Sequence, residues 1–185
     1  MPEQIIAQCQ EKMNKTIESL KKAFIGIRTG KANPSILNTV MVEYYGMMTP
    51  INQIASVSAP DPQSIVVKPY DRSSLKAIEK AIQTADLGFN PLNNGEVVRI
   101  PIAPLTEQTR KELVKEAKKV AEEQKVAIRN IRRDAREALK KLEKDSLITE
   151  DELTRHSDKI QKITDEFIAK IDNEAKIKEQ DIMSI

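Results

Sequence analysis

From Thr106 to Lys144 the chain runs without a single glycine or proline, and no other feature restricts the possible folds so tightly. At 1.5 Å per residue a helix of this extent spans roughly 60 Å, well beyond an ordinary globular helix. Leu113, Ala117, Val120, Ala121, Ile128, Ile131, Ala135, Leu139 and Leu142 fall on one stripe when each residue advances about 100°. So long an apolar seam needs partners of comparable length.

Two further segments can supply them. Over residues 3–28, Ile6, Cys9, Met13, Ile17, Leu20, Phe24 and Ile27 recur in steps of three and four. Gly30 supplies the stop and Pro34 reinforces it. A third helix is predicted from Thr149, where Thr149 and Glu152 make a capping-box pattern. Its stripe is Leu153, Ile160, Ile163, Phe167, Ile171 and Ala175. Three helices with one apolar face each bury one another as an antiparallel three-helix bundle.

The first helix is separated from the others by a segment of different texture, so the bundle is discontinuous in sequence. Between 31 and 104 lie eight of the nine prolines, and β-branched runs replace the helical period. Strands are predicted over 39–44, 54–59, 64–68 and 96–100, the last ended by Pro101. A short helix is predicted over 74–85, with Asp71 or Ser73 as its N-cap. This is a small inserted α/β domain of about 74 residues, near the lower end of independent folding. The fold class is α+β: 1–30 and 105–185 form the bundle, and 31–104 form the insertion. The two chain crossings, at Gly30 and Lys31 and at Pro104 and Leu105, permit a hinge but restrain free tumbling. An L-shaped molecule is the expected outcome.

Composition narrows the function. The single Cys9 rules out an intramolecular disulfide and disfavours a cysteine-based metal site. No apolar run reaches the roughly 18 residues of a membrane span, and the chain opens on a polar amphipathic segment instead of a leader, so a cytoplasmic protein is expected. Aromatics are 3% with no Trp, too few for a base-stacking platform. The lone His156, between Leu153 and Ile160, reads as a core-edge residue and not a metal ligand. Ser73 and Ser74 read as a helix start, since the only histidine lies in another predicted domain. There is no glycine-rich phosphate loop. Nothing in the sequence assembles an enzyme.

Net charge is only +2, so any affinity for nucleic acid depends on how charge is arranged. Beside the apolar stripe of the 106–144 helix lie Lys111, Lys115, Lys118, Lys125, Arg129, Arg132, Arg133, Arg136 and Lys140. Glu112, Glu116, Glu123, Asp134 and Glu137 collect on the remaining side with Lys119 and Lys141, while Glu107, Glu122 and Glu143 share the basic arc. One reading is a solvated face laced by i,i+4 pairs such as Glu107–Lys111 and Glu137–Lys141. Against it stands the switch from lysine to arginine between 129 and 136. Solubility does not require that switch, whereas planar guanidinium forks suit phosphates. Recognition of folded RNA through its backbone and shape is then the better fit. A coiled-coil adaptor and a general RNA chaperone stay open as alternatives.

Several motifs, in order, resemble the ribosome recycling factor family. They are Ile27-Arg28-Thr29-Gly30-Lys31-Ala32-Asn33-Pro34-Ser35, Val42-Glu43-Tyr44-Tyr45-Gly46, Pro50-Ile51-Asn52-Gln53-Ile54-Ala55 and Ala85-Asp86-Leu87-Gly88-Phe89-Asn90-Pro91. Pro104-Leu105-Thr106-Glu107 and the run from Val126 to Ala135 complete the set. Two departures are Ala85, where the family often has serine, and Thr109 before Arg110, where it commonly has paired arginines. The resemblance implies a monomer without cofactor that binds the post-termination 70S ribosome, its bundle against large-subunit ribosomal RNA. It also implies that elongation factor G, which uses the GTP, meets the inserted domain and moves the protein, so that the subunits part. Arg129, Arg132, Arg133 and Arg136 would hold RNA, with Arg28 and Arg110 adding contacts near the hinge.

Overall fold

A computed structural model describes residues 1–85 and 87–184; Asp86 of the fourth motif lies outside the described residues. The chain divides into two compact units, one of residues 1–27 with 111–181, the other of 28–110 with the residues from Ile182 onward.

The first unit is a bundle of three helices: α1 (Pro2–Ile25), α4 (Glu107–Lys144) and α5 (Glu150–Met183). Their stripes meet inside, and Met13, Leu20, Ile128, Leu139, Ile160 and Ile171 are completely buried. α4 and α5 run antiparallel, since Arg132 reaches Gln161 while Lys118, a few turns back, reaches Glu179. Thr16 and Thr164 are buried among the apolar residues because each hydroxyl donates to the carbonyl four residues earlier, Lys12 at 3.1 Å and Ile160 at 2.7 Å. Helix α1 ends sooner than expected. Gly26, not Gly30, is its C-cap, and a Cβ at Gly30 would meet only Leu105 at 3.7 Å, an ordinary contact. Among the described residues, no helix is long and apolar enough to cross a membrane.

The turn between α4 and α5 shows how local chemistry stops a long helix. Ser146 adopts φ +56°, its N–H donates to the Glu143 carbonyl, and the Leu147 N–H donates to the Leu142 carbonyl, each at 2.9 Å. This pair of bonds is a Schellman motif with serine at the left-handed position that glycine usually fills. Ser146→Gly is therefore expected to stabilise the protein by about 0.5–1 kcal/mol, because the Cβ strain of the left-handed backbone is removed. The urea midpoint measures this; an unchanged or lower midpoint would count against the strain argument. On the far side of the turn the capping box is complete. The Glu152 N–H donates to Thr149 Oγ1 at 3.2 Å, and the Thr149 N–H donates to Glu152 Oε2 at 2.8 Å. That backbone donor holds the Glu152 carboxyl below its usual pKa.

The second unit pairs β1 (Met41–Tyr44) with β2 (Met47–Pro50), followed by the one-turn helix α2 (Ile51–Ile54). Strands β3 (Ala55–Asp61), β4 (Ser64–Pro69), β5 (Leu92–Asn93) and β6 (Val98–Pro101) make an antiparallel sheet in the order β3-β4-β6-β5. Helix α3 (Leu75–Thr84) belongs to the same core: Ile78 and Ile82 join Ile65 and Val67 of β4 and Val98 and Ile100 of β6.

The four strands expected from sequence correspond to β1, β3, β4 and β6, but the described residues form six. The first is shorter than 39–44, because Pro34–Thr39 forms a 3-10 turn capped by Asn33, whose side chain accepts from the Ser35 N–H at 3.0 Å. Strands β2 and β5 and helix α2 were not anticipated. Asp71 caps a 3-10 turn, Arg72–Ser74, by accepting from the Ser73 N–H. Helix α3 itself begins after Ser74 with no side-chain cap, so neither Asp71 nor Ser73 is its N-cap.

Candidate nucleic-acid interface

Helix α4 places its arginines one step round from the buried seam. Ile128, Ala135 and Leu139 point into the bundle, and Arg129, Arg133 and Arg136 on the adjoining arc are exposed. Arg132, nearer the seam, is half-buried, and its guanidinium donates to Gln161 Oε1 at 3.3 Å. Gln161 is steadied in turn by donating to Asp165 Oδ1 at 2.9 Å. Arg132, Arg133, Arg136 and Lys140 line a shallow concavity of about 220 Å³ with a single acid, Glu137.

What neutralises these cations matters more than their number. Among the described residues, no carboxylate lies within ion-pairing distance of Arg129 or Arg136, and Arg132 contacts an amide. Arg133 has only its chain neighbour Asp134, 3.8 Å away, with both side chains well exposed; such a pair contributes little. Two lysines of the same arc, Lys118 and Lys125, behave differently. Lys118 pairs with Glu179 at 3.6 Å. Lys125 pairs with Asp172 and, at 3.1 Å, with Glu122, and only 14% of its side chain is exposed. Hydrogen bonding to Asp172 is the main cause that holds the Lys125 ammonium above its usual pKa. The sequence reading placed Lys125 on the presented arc; the register of α5 turns it inward instead. No ion pair joins Glu137 to Lys141, so that part of the solvated-lattice reading does not hold.

The remaining expected contacts lie in the second unit. Arg28 is half-buried and shares a small recess with Thr29, Lys31, Phe89, Ile102 and Leu105. Arg110 is half-buried too, and its Nε is buried with no hydrogen-bond partner, in keeping with a side chain part packed and part presented. Of the expected hinge residues, Leu105 is buried, Gly30 half-buried, and Lys31 and Pro104 exposed. His156 is buried with an unpartnered Nδ1, and no group of three or more potential metal ligands occurs among the described residues.

Two features escaped the sequence reading. Gln161 could not be identified as the Arg132 partner without the α4–α5 register. Arg155, Lys159 and Lys162 of α5 border a second cleft of about 420 Å³, where Asp151 and Asp158 offset most of their charge. The arginine concavity of α4, with four cations to one acid, is more nearly single-signed than this cleft, with three cations to two acids.

Comparison with known proteins agrees with this architecture. The family described as Ribosome recycling factor matches residues 20–183. The ribosome-recycling factors of Geobacillus sp. (strain WCH70) and Bacillus subtilis (strain 168) are 54% and 50% identical over 185 residues, covering all of both chains. A solution structure of the ribosome recycling factor superposes with a TM-score of 0.85 at 38% identity, covering 100% of this chain and 98% of that one. A T. thermophilus ribosome recycling factor, described with E. coli elongation factor G as bound to the E. coli post-termination complex, aligns over the full length of both chains at TM-score 0.70 and 51% identity. A likeness that runs through the bundle and the insertion alike leaves one assignment: the chain belongs to the ribosome recycling factor family.

Proposed function

We propose that this protein binds post-termination ribosomes by laying the α4 arginines on large-subunit ribosomal RNA, and that elongation factor G, acting on the inserted unit and driven by GTP, moves it so that the subunits separate. The observation that carries the reading is the split within the basic arc. Lys118 and Lys125 are engaged by acids of α5, whereas Arg129 and Arg136 have no carboxylate partner and Arg132 and Arg133 are only weakly engaged. Guanidinium groups held on a stiff helix and left unneutralised favour a polyanion with fixed phosphate positions. Arg28 and Arg110 add contacts at the end of the second unit where the chain crosses, and bending occurs around Gly30, Lys31, Pro104 and Leu105.

On this reading the protein acts in the cytoplasm as a monomer and needs no cofactor or catalytic group of its own. Its work is mechanical, and the chemical step belongs to the GTP-using partner. The test is a light-scattering assay on post-termination ribosomes. Splitting is expected only when this protein, elongation factor G and GTP are all present. Splitting by elongation factor G and GTP alone at the same rate would sink the proposal.

A further inference from the structure

We propose that the β3–β4 turn, Asp61-Pro62-Gln63-Ser64, is a clasp that anchors both segments through which the second unit joins the rest of the chain, with Asp61 as its positioning residue. The inference rests on the proposed function and adds the place where force enters the inserted unit.

The turn is a tight two-residue connection, with Asp61 and Ser64 paired across it. Its shape is held by one carboxylate. Asp61 Oδ1 accepts from the Gln63 N–H at 2.8 Å, and Oδ2 accepts from the hydroxyl of buried Ser64 at 2.7 Å. The two carbonyls at the tip then receive the two connecting segments. The Ala32 N–H donates to the Pro62 carbonyl at 2.8 Å, and the Ile102 N–H donates to the Gln63 carbonyl at 2.7 Å. Ala32 lies on the segment that enters the unit and Ile102 on the segment that leaves it. The segments also run close together, since a Cβ at Gly30 would sit 3.7 Å from the Leu105 side chain.

Adjacent carbonyls of one turn thus hold both entry and exit. Bending is confined to the residues outside these two bonds and before α4, 28–31 and 103–106, while the sheet beyond them moves as one piece. A push on the insertion is carried to a single short, braced turn instead of being absorbed in two independent, pliable strands. Asp61 contacts no partner in this scheme; it acts by orienting the Pro62 and Gln63 carbonyls. The bonds to Ser64 and Gln63 also hold its carboxyl below the usual pKa, so the carboxylate is the form present at neutral pH.

The test compares Asp61→Ala with Asp61→Asn in the full chain. Asparagine keeps an acceptor for the Gln63 N–H and a polar partner for Ser64; alanine keeps neither. Asp61→Ala is expected to speed amide exchange at Ala32 and Ile102 by about tenfold or more, with Ile65 and Val67 in the sheet unchanged. Ribosome co-sedimentation should stay within about twofold of the unmodified protein, because the α4 arginines are untouched. Splitting with elongation factor G and GTP should fall about fivefold or more, and Asp61→Asn should recover most of it. A purely structural role would lower binding and splitting together.

The proposal is overturned if exchange at Ala32 and Ile102 does not change, if it changes and splitting does not, or if the asparagine variant is as poor as alanine. Should Asp61→Ala fail to fold, Ser64→Ala removes only one of the two braces and is expected to give the same pattern at smaller amplitude; wild-type splitting by that variant, with looser Ala32 and Ile102 amides, would equally overturn the clasp. Failure of the unmodified protein to split ribosomes would instead refute the functional reading, and the two failures are therefore distinguishable.

Discussion

Replacing Arg129, Arg133 and Arg136 together by glutamate is expected to weaken ribosome binding about a hundred-fold or more near physiological salt, with the fold intact. If four arginines meet phosphates, counterion release makes the logarithm of affinity fall with the logarithm of salt at a slope of about −3.6. Neutralising three of them with glutamine should make that slope shallower by about 2.7, leaving the contributions of Arg132, Arg28 and Arg110; reversal adds repulsion and weakens binding further. Stability should shift by no more than about 1 kcal/mol, since all three side chains are exposed and, among the described residues, the only ion pair lost is the long Arg133–Asp134 contact. The control reverses Lys119 and Lys141, also exposed but on the arc where α4 carries its acids; binding should then change by less than about threefold. Ribosome co-sedimentation across a salt series separates the outcomes. Equal losses from both sets would mean that net charge alone matters, and undiminished binding by the triple glutamate variant would remove the RNA-binding role from α4.

The arginine face could be read from sequence because it follows from one helix. Once the apolar stripe through Ile128, Ala135 and Leu139 sets which way α4 faces, the position of Arg129 or Arg136 follows from 100° steps. Which cations remain free could not be read in this way. Lys125 occupies the same arc as Arg129, yet Asp172 of α5 captures it, and Arg132 meets Gln161. Both facts depend on how far α5 slides along α4, which the stripes leave undetermined to within a turn.

The same distinction runs through the fold. Helical seams repeat over many turns, so the three long helices were clear from periodicity. Their ends depend on single residues: Gly26 caps α1 ahead of the more conspicuous Gly30 and Pro34, and the 3-10 turn that Asn33 caps takes in Thr39, the first residue of the expected strand. Strand β2 has the sequence Met47-Met48-Thr49-Pro50, with weak intrinsic preference for a strand. It exists because the turn at Tyr45 and Gly46, with φ of 48° and 78°, folds it onto β1. That turn is braced from a distance by the Tyr45 hydroxyl, which donates to Asp71 at 3.2 Å. No local pattern encodes a contact across so many intervening residues.

Leu139→Ala is expected to cost about 2–4 kcal/mol, because Leu139 is completely buried in the bundle and its removal leaves a cavity that rigid neighbouring helices fill poorly. The loss should appear in only one of two signals. Helix α3 aside, the long helices belong to the first unit, so ellipticity at 222 nm reports mainly on the bundle. All three tyrosines, Tyr44, Tyr45 and Tyr70, lie in the second unit, whose buried cluster is built from its own residues between Leu37 and Ile100. The 222 nm midpoint should therefore fall by about 10 °C or more, while the near-ultraviolet tyrosine transition moves by much less. Ile65→Ala, which opens a cavity in the second cluster, should reverse the pattern. Coincident shifts of both probes in both variants would mean that the units melt as one cooperative body. In that case the bundle could not serve as a shaft that stays folded while the insertion is pushed.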